Sequence, residues 1–181
     1  MKIQLDTGTH GRHGRARAAV LALCLMQAVA ALAQTAPAIP AKPGDAAGTV
    51  QLGSTTVTLK HAYALGPMDR GGQVYQIMLT DGPVPPEALA KELALGGGQS
   101  LLRSSKLSGI TLLVDSEGYL RNVVPFIGDI RGSKMLASAG KLDSFAVAPT
   151  GIKGQGRKGS GDTQGQGWSY AASWNAAVTK P

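Results

Sequence analysis

Residues that carry chemistry are scarce in this 181-residue chain, which has one cysteine, three histidines, two tryptophans and two phenylalanines. One cysteine permits no internal disulfide, so the fold must be held by packing and hydrogen bonds alone. Two of the histidines, His10 and His13, and the cysteine, Cys24, fall in the first 33 residues. Beyond that point His61 is the only imidazole. A zinc site needs three or four His, Cys or carboxylate ligands, and one His without Cys supplies too few. A nucleophilic triad needs a base and an orienting acid beside the nucleophile. His61 is the only histidine that could serve, and no G-x-S-x-G elbow is present.

Long apolar runs are also missing. The longest, Ala18 to Ala33, has sixteen residues, short of the roughly 20 needed to span a bilayer. It follows Lys2, Arg12, Arg15 and Arg17, opposed only by Asp6, and it ends in Ala31-Leu32-Ala33. A basic start, an apolar middle and an A-x-A end predict a secretory signal peptide over 1–33, cleaved after Ala33. Leu23 ahead of Cys24 is too large for lipoprotein processing. The expected mature protein is therefore periplasmic or secreted and not integral to the membrane. Removing the leader's four bases and one acid leaves fourteen bases and ten acids, net +4. That is an ordinary charge for solubility. Nucleic acid is rejected as a partner, because base stacking needs aromatic platforms beside cations, and the aromatics here alternate with small residues instead.

Residues 34–48, Gln34 to Gly48, place Pro37, Pro40 and Pro43 among alanines without bulky apolar periodicity, and predict a flexible or extended linker. A single β-rich domain is expected over 49–181, long enough for one core. Val57, Leu59, His61, Tyr63 and Leu65 alternate with polar and small residues, a period of two that predicts a half-buried strand. Tyr75, Ile77 and Leu79 repeat the pattern. The run from Val84 to Leu95 predicts one short helix, with Pro85 and Pro86 at its entry and Gly96 to Gly98 at its stop. Two apolar runs around Asp115-Ser116-Glu117-Gly118 predict a hairpin with glycine at positive φ. Trp168, Tyr170, Trp174, Ala176 and Val178 share one face of a last strand, with Ser169, Ser173 and Asn175 opposite, on the expected solvent side. The fold class is mainly β, an antiparallel β-sandwich or partly open barrel with one short helix.

The segments "VTLKHAYA", "MLTDGPVP" and "WSYAASWNAAV" together resemble small exported bacterial β-rich proteins of unassigned function. The resemblance implies export and a single β domain and brings no catalytic residues with it.

The remaining candidates each have two readings. On an apolar face, His61 is a core or boundary histidine, with a catalytic or ligand role as the alternative. Trp168, Tyr170 and Trp174 would form a carbohydrate or peptide platform if exposed, and core if buried. Acids at turns could in principle pair for glycoside cleavage, but the sequence sets no two of them across a cleft. Gly154 to Gly159 fits G-x-G-x-x-G, yet no βαβ unit surrounds it and no acid follows Asp162, so no nucleotide cofactor is expected. Instead Ile152, Gly154 and Gly156 fit one face of a strand whose glycines admit Trp168 and Trp174. Arg157 and Lys158 would then lead into a flexible basic loop, with Gly159 to Gly167 as a hairpin tip. No catalytic residue, cofactor or metal is assigned. The expected role is binding or structural, toward a protein or carbohydrate partner. The alternatives are a hydrolase using turn carboxylates, or an inhibitor acting through the loop.

Overall fold

The computed structural model describes residues 35–69, 71–94, 106–128, 130–131, 140–163 and 166–179. The predicted signal peptide and its cleavage site lie outside them, as do Gly96 to Gly98 beyond the helix. The strands are β1 (Asp45–Leu52), β2 (Thr55–Thr58), β3 (His61–Asp69), β4 (Gln73–Thr80), β5 (Gly109–Asp115), β6 (Leu120–Ile127), β7 (Ile130–Arg131), β8 (Ser144–Ala148), β9 (Gly151–Thr163) and β10 (Gln166–Thr179). Helix α1 spans Pro86–Ala94. The strands form one curled, mainly antiparallel sheet, a half-barrel, in the order β7-β6-β5-β4-β3-β1-β10-β9-β8, with β2 paired to β1. The sandwich expected as one option is therefore replaced by a single sheet that curls around its own core.

Alternation explains both faces of the sheet. Tyr75, Ile77 and Leu79 of β4 meet Ile110, Leu112 and Val114 of β5 in the large core, with Val50 and Leu52 of β1. On the other face Leu65, Met78 and Phe126 form a smaller cluster under Val84 and Leu89. Tyr63 helps to fix that helix, because its hydroxyl accepts a hydrogen bond from Val84 N at 2.8 Å. At the β5–β6 turn Asp115 Oδ1 accepts from Glu117 N at 3.0 Å and Tyr119 N at 2.9 Å. Its Oδ2 pairs with the Arg121 guanidinium at 2.9 Å. Gly118 sits at φ +87°, as the expected turn requires.

The strand around His61 departs from the expected phase. β2 ends at Thr58 and β3 begins at His61, with Leu59 and Lys60 between them outside any strand. That break shifts the alternation by one residue, which exchanges the faces. Ala62 and Ala64, expected on the outside, enter the large core, while Leu65 and Tyr63 turn to the smaller cluster. His61 is half-buried at the strand's start, opposite Asp45 and Thr80, and is not a core residue.

The glycine segment is strand, as its alternation predicts, and it extends further than expected. Ile152, Gly154 and Gly156 are buried on one face of β9 while Lys153 and Arg157 are exposed on the other. β9 pairs with β10 through to Thr163 and Gln166, so most of the expected Gly159–Gly167 tip is ladder. Arg157 and Lys158, expected in a flexible loop, lie opposite Ala171 and Tyr170 in that ladder. The long β10 supplies an edge for all of β9, and the backbone pairs despite its glycine content.

Trp174 explains Gly154. A Cβ at Gly154 would overlap the six-membered ring of the indole. At Gly156 the neighbours are Leu142 and the Tyr170 hydroxyl, not Trp168 as expected. The Gly154→Ala substitution should therefore overpack the core and lower stability by roughly 1–3 kcal/mol, read as a lower urea midpoint. Adding Trp174→Leu should recover part of that loss. Strictly additive effects in the double-mutant cycle would show that the two positions do not touch.

Candidate functional site

The predicted aromatic row is core. Trp168, Tyr170 and Trp174 are 3%, 1% and 0% exposed, so they offer no platform to a ligand. Burial pushes the Tyr170 hydroxyl well above its ordinary range, and the negative charge of Asp143 adds to the effect. That hydroxyl and the Trp174 indole N–H have no hydrogen-bond partner among the described residues. His61 is not part of this row: it starts β3, opposite Asp45, which in turn lies opposite Asn175 of β10. Arg157 is half-exposed, with its Nε 3.6 Å from Asp143. The Lys158 side chain lies outside the described residues. The structure does not bring these candidates together into one site. No group of three or more His, Cys, Asp or Glu among the described residues could hold a metal ion.

The opposite face of β10 holds a different set. Ser173 and Asn175, expected in solvent, are 0% and 3% exposed. They are covered by the segment ahead of β1, which the composition marks as a flexible linker. Its described part, from Thr35, belongs to the same compact unit as the rest of the domain. Gln155 Nε2 on β9 donates to the carbonyls of Ala36 and Pro37, both at 2.9 Å. Ser173 Oγ donates to Ala38 O at 2.7 Å. Asn175 Nδ2 donates to Pro40 O at 3.2 Å and Ala41 O at 2.9 Å. The main chain closes the turn into β1, with Gly44 N donating to Asn175 O at 2.6 Å and Asp45 N to Lys42 O at 3.3 Å. We refer to residues 36–43 as the strap.

The geometry follows from two regular repeats. Gln155 and Ser173 are direct cross-strand partners, so they sit about 5 Å apart. Ser173 and Asn175 are two residues apart on one strand, roughly 6.8 Å. An extended proline-rich chain rises about 3.1 Å per residue, so a step of two residues covers about 6.2 Å. Carbonyls at 36/37, 38 and 40/41 therefore come within reach of three successive donors. The prolines at 37, 40 and 43 repeat every three residues, the period of a polyproline II turn. Proline also has no N–H. A chain short of donors thus lies on a face that presents donors to it.

No family, curated protein or solved structure matches this chain. The site is therefore read from its own residues. Gln155, Ser173 and Asn175 were not marked by sequence reasoning, which assigned their face to water. The three-residue proline repeat was the available signal, but nothing local tells which surface a leader covers.

Two outcomes test this description. Asn175→Ala removes the donor to Pro40 and Ala41, and should cost about 1–3 kcal/mol. Elastase cleavage at Ala38 should become faster in that variant than in the parent. Unchanged cleavage would refute the clamp. The Tyr170 proton gives a pH signature. Above about pH 10 the unfolded chain loses a proton that the folded core retains, so stability falls as pH rises. Tyr170→Phe removes that contribution, and its stability curve should be flatter above pH 10 by up to ~1.4 kcal/mol per pH unit. Parallel curves for parent and variant would contradict it.

Proposed function

We propose that the chain is an exported, non-enzymatic β domain of the cell envelope or extracellular space, and that it works by binding. The outer face of β9 and β10 is its contact surface. The observation that carries this reading is the row of side-chain amide and hydroxyl donors, Gln155, Ser173 and Asn175, directed at five consecutive-region carbonyls of an extended segment. Side chains that donate to main-chain carbonyls recognise the extended shape of a peptide more than its side-chain identities. A peptide is therefore favoured over a carbohydrate as the partner, and a peptide partner needs no residue with shifted acid–base chemistry.

Two carboxylates that a hydrolase would use are already committed to local structure. Asp115 accepts from two backbone N–H groups and Arg121. Asp81 Oδ1 accepts from Ser108 N at 3.0 Å. Both serve turns, which supports binding over catalysis. The basic start, apolar run and A-x-A end support export, and among the described residues no helix is long and apolar enough to cross a membrane.

A synthetic peptide spanning residues 35–43 tests the surface. Added to a chain whose residues 36–43 are replaced by a Gly/Ser sequence, it should shift the side-chain amide NMR signals of Gln155 and Asn175. The response should be lost in Asn175→Ala. No shift, or a response indifferent to that substitution, would rule out the face as a peptide-binding surface.

A further inference from the structure

From the strap and its hinge we infer that the face binds the strap of a second copy of this chain, so that two molecules pair by exchanging residues 36–43. This inference rests on the reading of β9–β10 as a peptide-binding surface and names its partner. The partner is argued from the one ligand whose fit is visible: the segment that lies on the face in cis is present in every copy.

Three further observations support exchange. The strap belongs to no ladder of the sheet; Gln155, Ser173 and Asn175 hold it by hydrogen bonds to its carbonyls, and only Ala36 of its apolar side chains is buried. Leaving one copy and entering another therefore preserves every strand register and re-forms the same bonds. The strap joins β1 through Gly44, at φ +91°, with nothing within 4 Å of the position a Cβ would take. This is the left-handed region that glycine enters without strain. The Gly44 carbonyl accepts from Ala62 N at 2.8 Å and stays with β3, so exchange opens the bond from Gly44 N to Asn175 O and redirects the chain ahead of it. The donor row also extends past the strap's present contacts. Ser144 of β8 lies opposite Gln155 in register, and its buried Oγ has no hydrogen-bond partner among the described residues. Reciprocal exchange of an identical segment closes a two-fold dimer without new chemistry.

Complementation between two full-length variants provides the test. One carries Ser173→Ala and Asn175→Ala, which damages the face and leaves the strap intact. The other has residues 36–43 replaced by a Gly/Ser sequence, which leaves the face open. Light scattering should find each variant monomeric alone and a 1:1 complex on mixing. A labelled 35–43 peptide, titrated into the Gly/Ser variant, separates the two levels of the proposal. Peptide binding without a complex overturns exchange, leaves the surface reading intact and points to a separate proline-rich partner. Absence of both overturns the surface and the exchange together. Gly44→Ala covers the case in which the Gly/Ser variant does not fold. It disfavours the closed hinge and should raise the dimerisation constant of the otherwise intact chain about tenfold. A Gly44→Ala chain that stays monomeric across the same dilution series would also overturn exchange.

Discussion

β10 bonds to three other strands, and the placement of the rest of the sheet follows from those pairings. One edge runs antiparallel to β9 over nearly its whole length. The other edge pairs with β1 from Trp168 to Asn175, then runs parallel to β3 from Ala177 to Thr179. Where β1 begins, at Asp45 opposite Asn175, β3 moves in to take its place beside β10. The strap must leave the sheet at that junction. It crosses the outer face because the slot beyond Asp45 is already filled.

The two faces of β10 then do different work. The inner face carries Trp168, Tyr170 and Trp174 into a core in which glycines on β9 leave the space that the large rings need. Bulk on one strand matched by its absence on the next is what close packing demands of a curled sheet without disulfides. The outer face carries small polar groups, which would be wet in an ordinary half-exposed sheet. Here Ser173 and Asn175 are dry, and each donates to carbonyls of the strap. Burying them without such acceptors would cost free energy, so the strap and the polar side chains depend on each other.

Much of this fold was legible in the residues. The β5–β6 turn follows from Asp115 and Gly118, because their conformational preferences are local. The glycine strand and its tryptophan neighbour follow from matching periods of two. The phase around His61 was not legible, since a two-residue break at Leu59–Lys60 looks like any other step in an alternating run. The covered outer face of β9 and β10 was missed for a different reason. Ser173 and Ala38 are 135 positions apart, and alternation reports only that one side of a strand is polar. It does not report whether water or another part of the chain lies against that side. The linker was judged by what it lacked, bulky apolar residues, although its carbonyls are what the sheet holds.

The pairing of Asp45 with Asn175 also bears on when the domain can form. The first strand can pair early with β2, but its other edge is completed only when β10 is present. Contacts between residues so far apart in sequence make folding slow. Closure of the sheet therefore waits on β10, and β1 and β9, which flank it, cannot complete their ladders before it arrives.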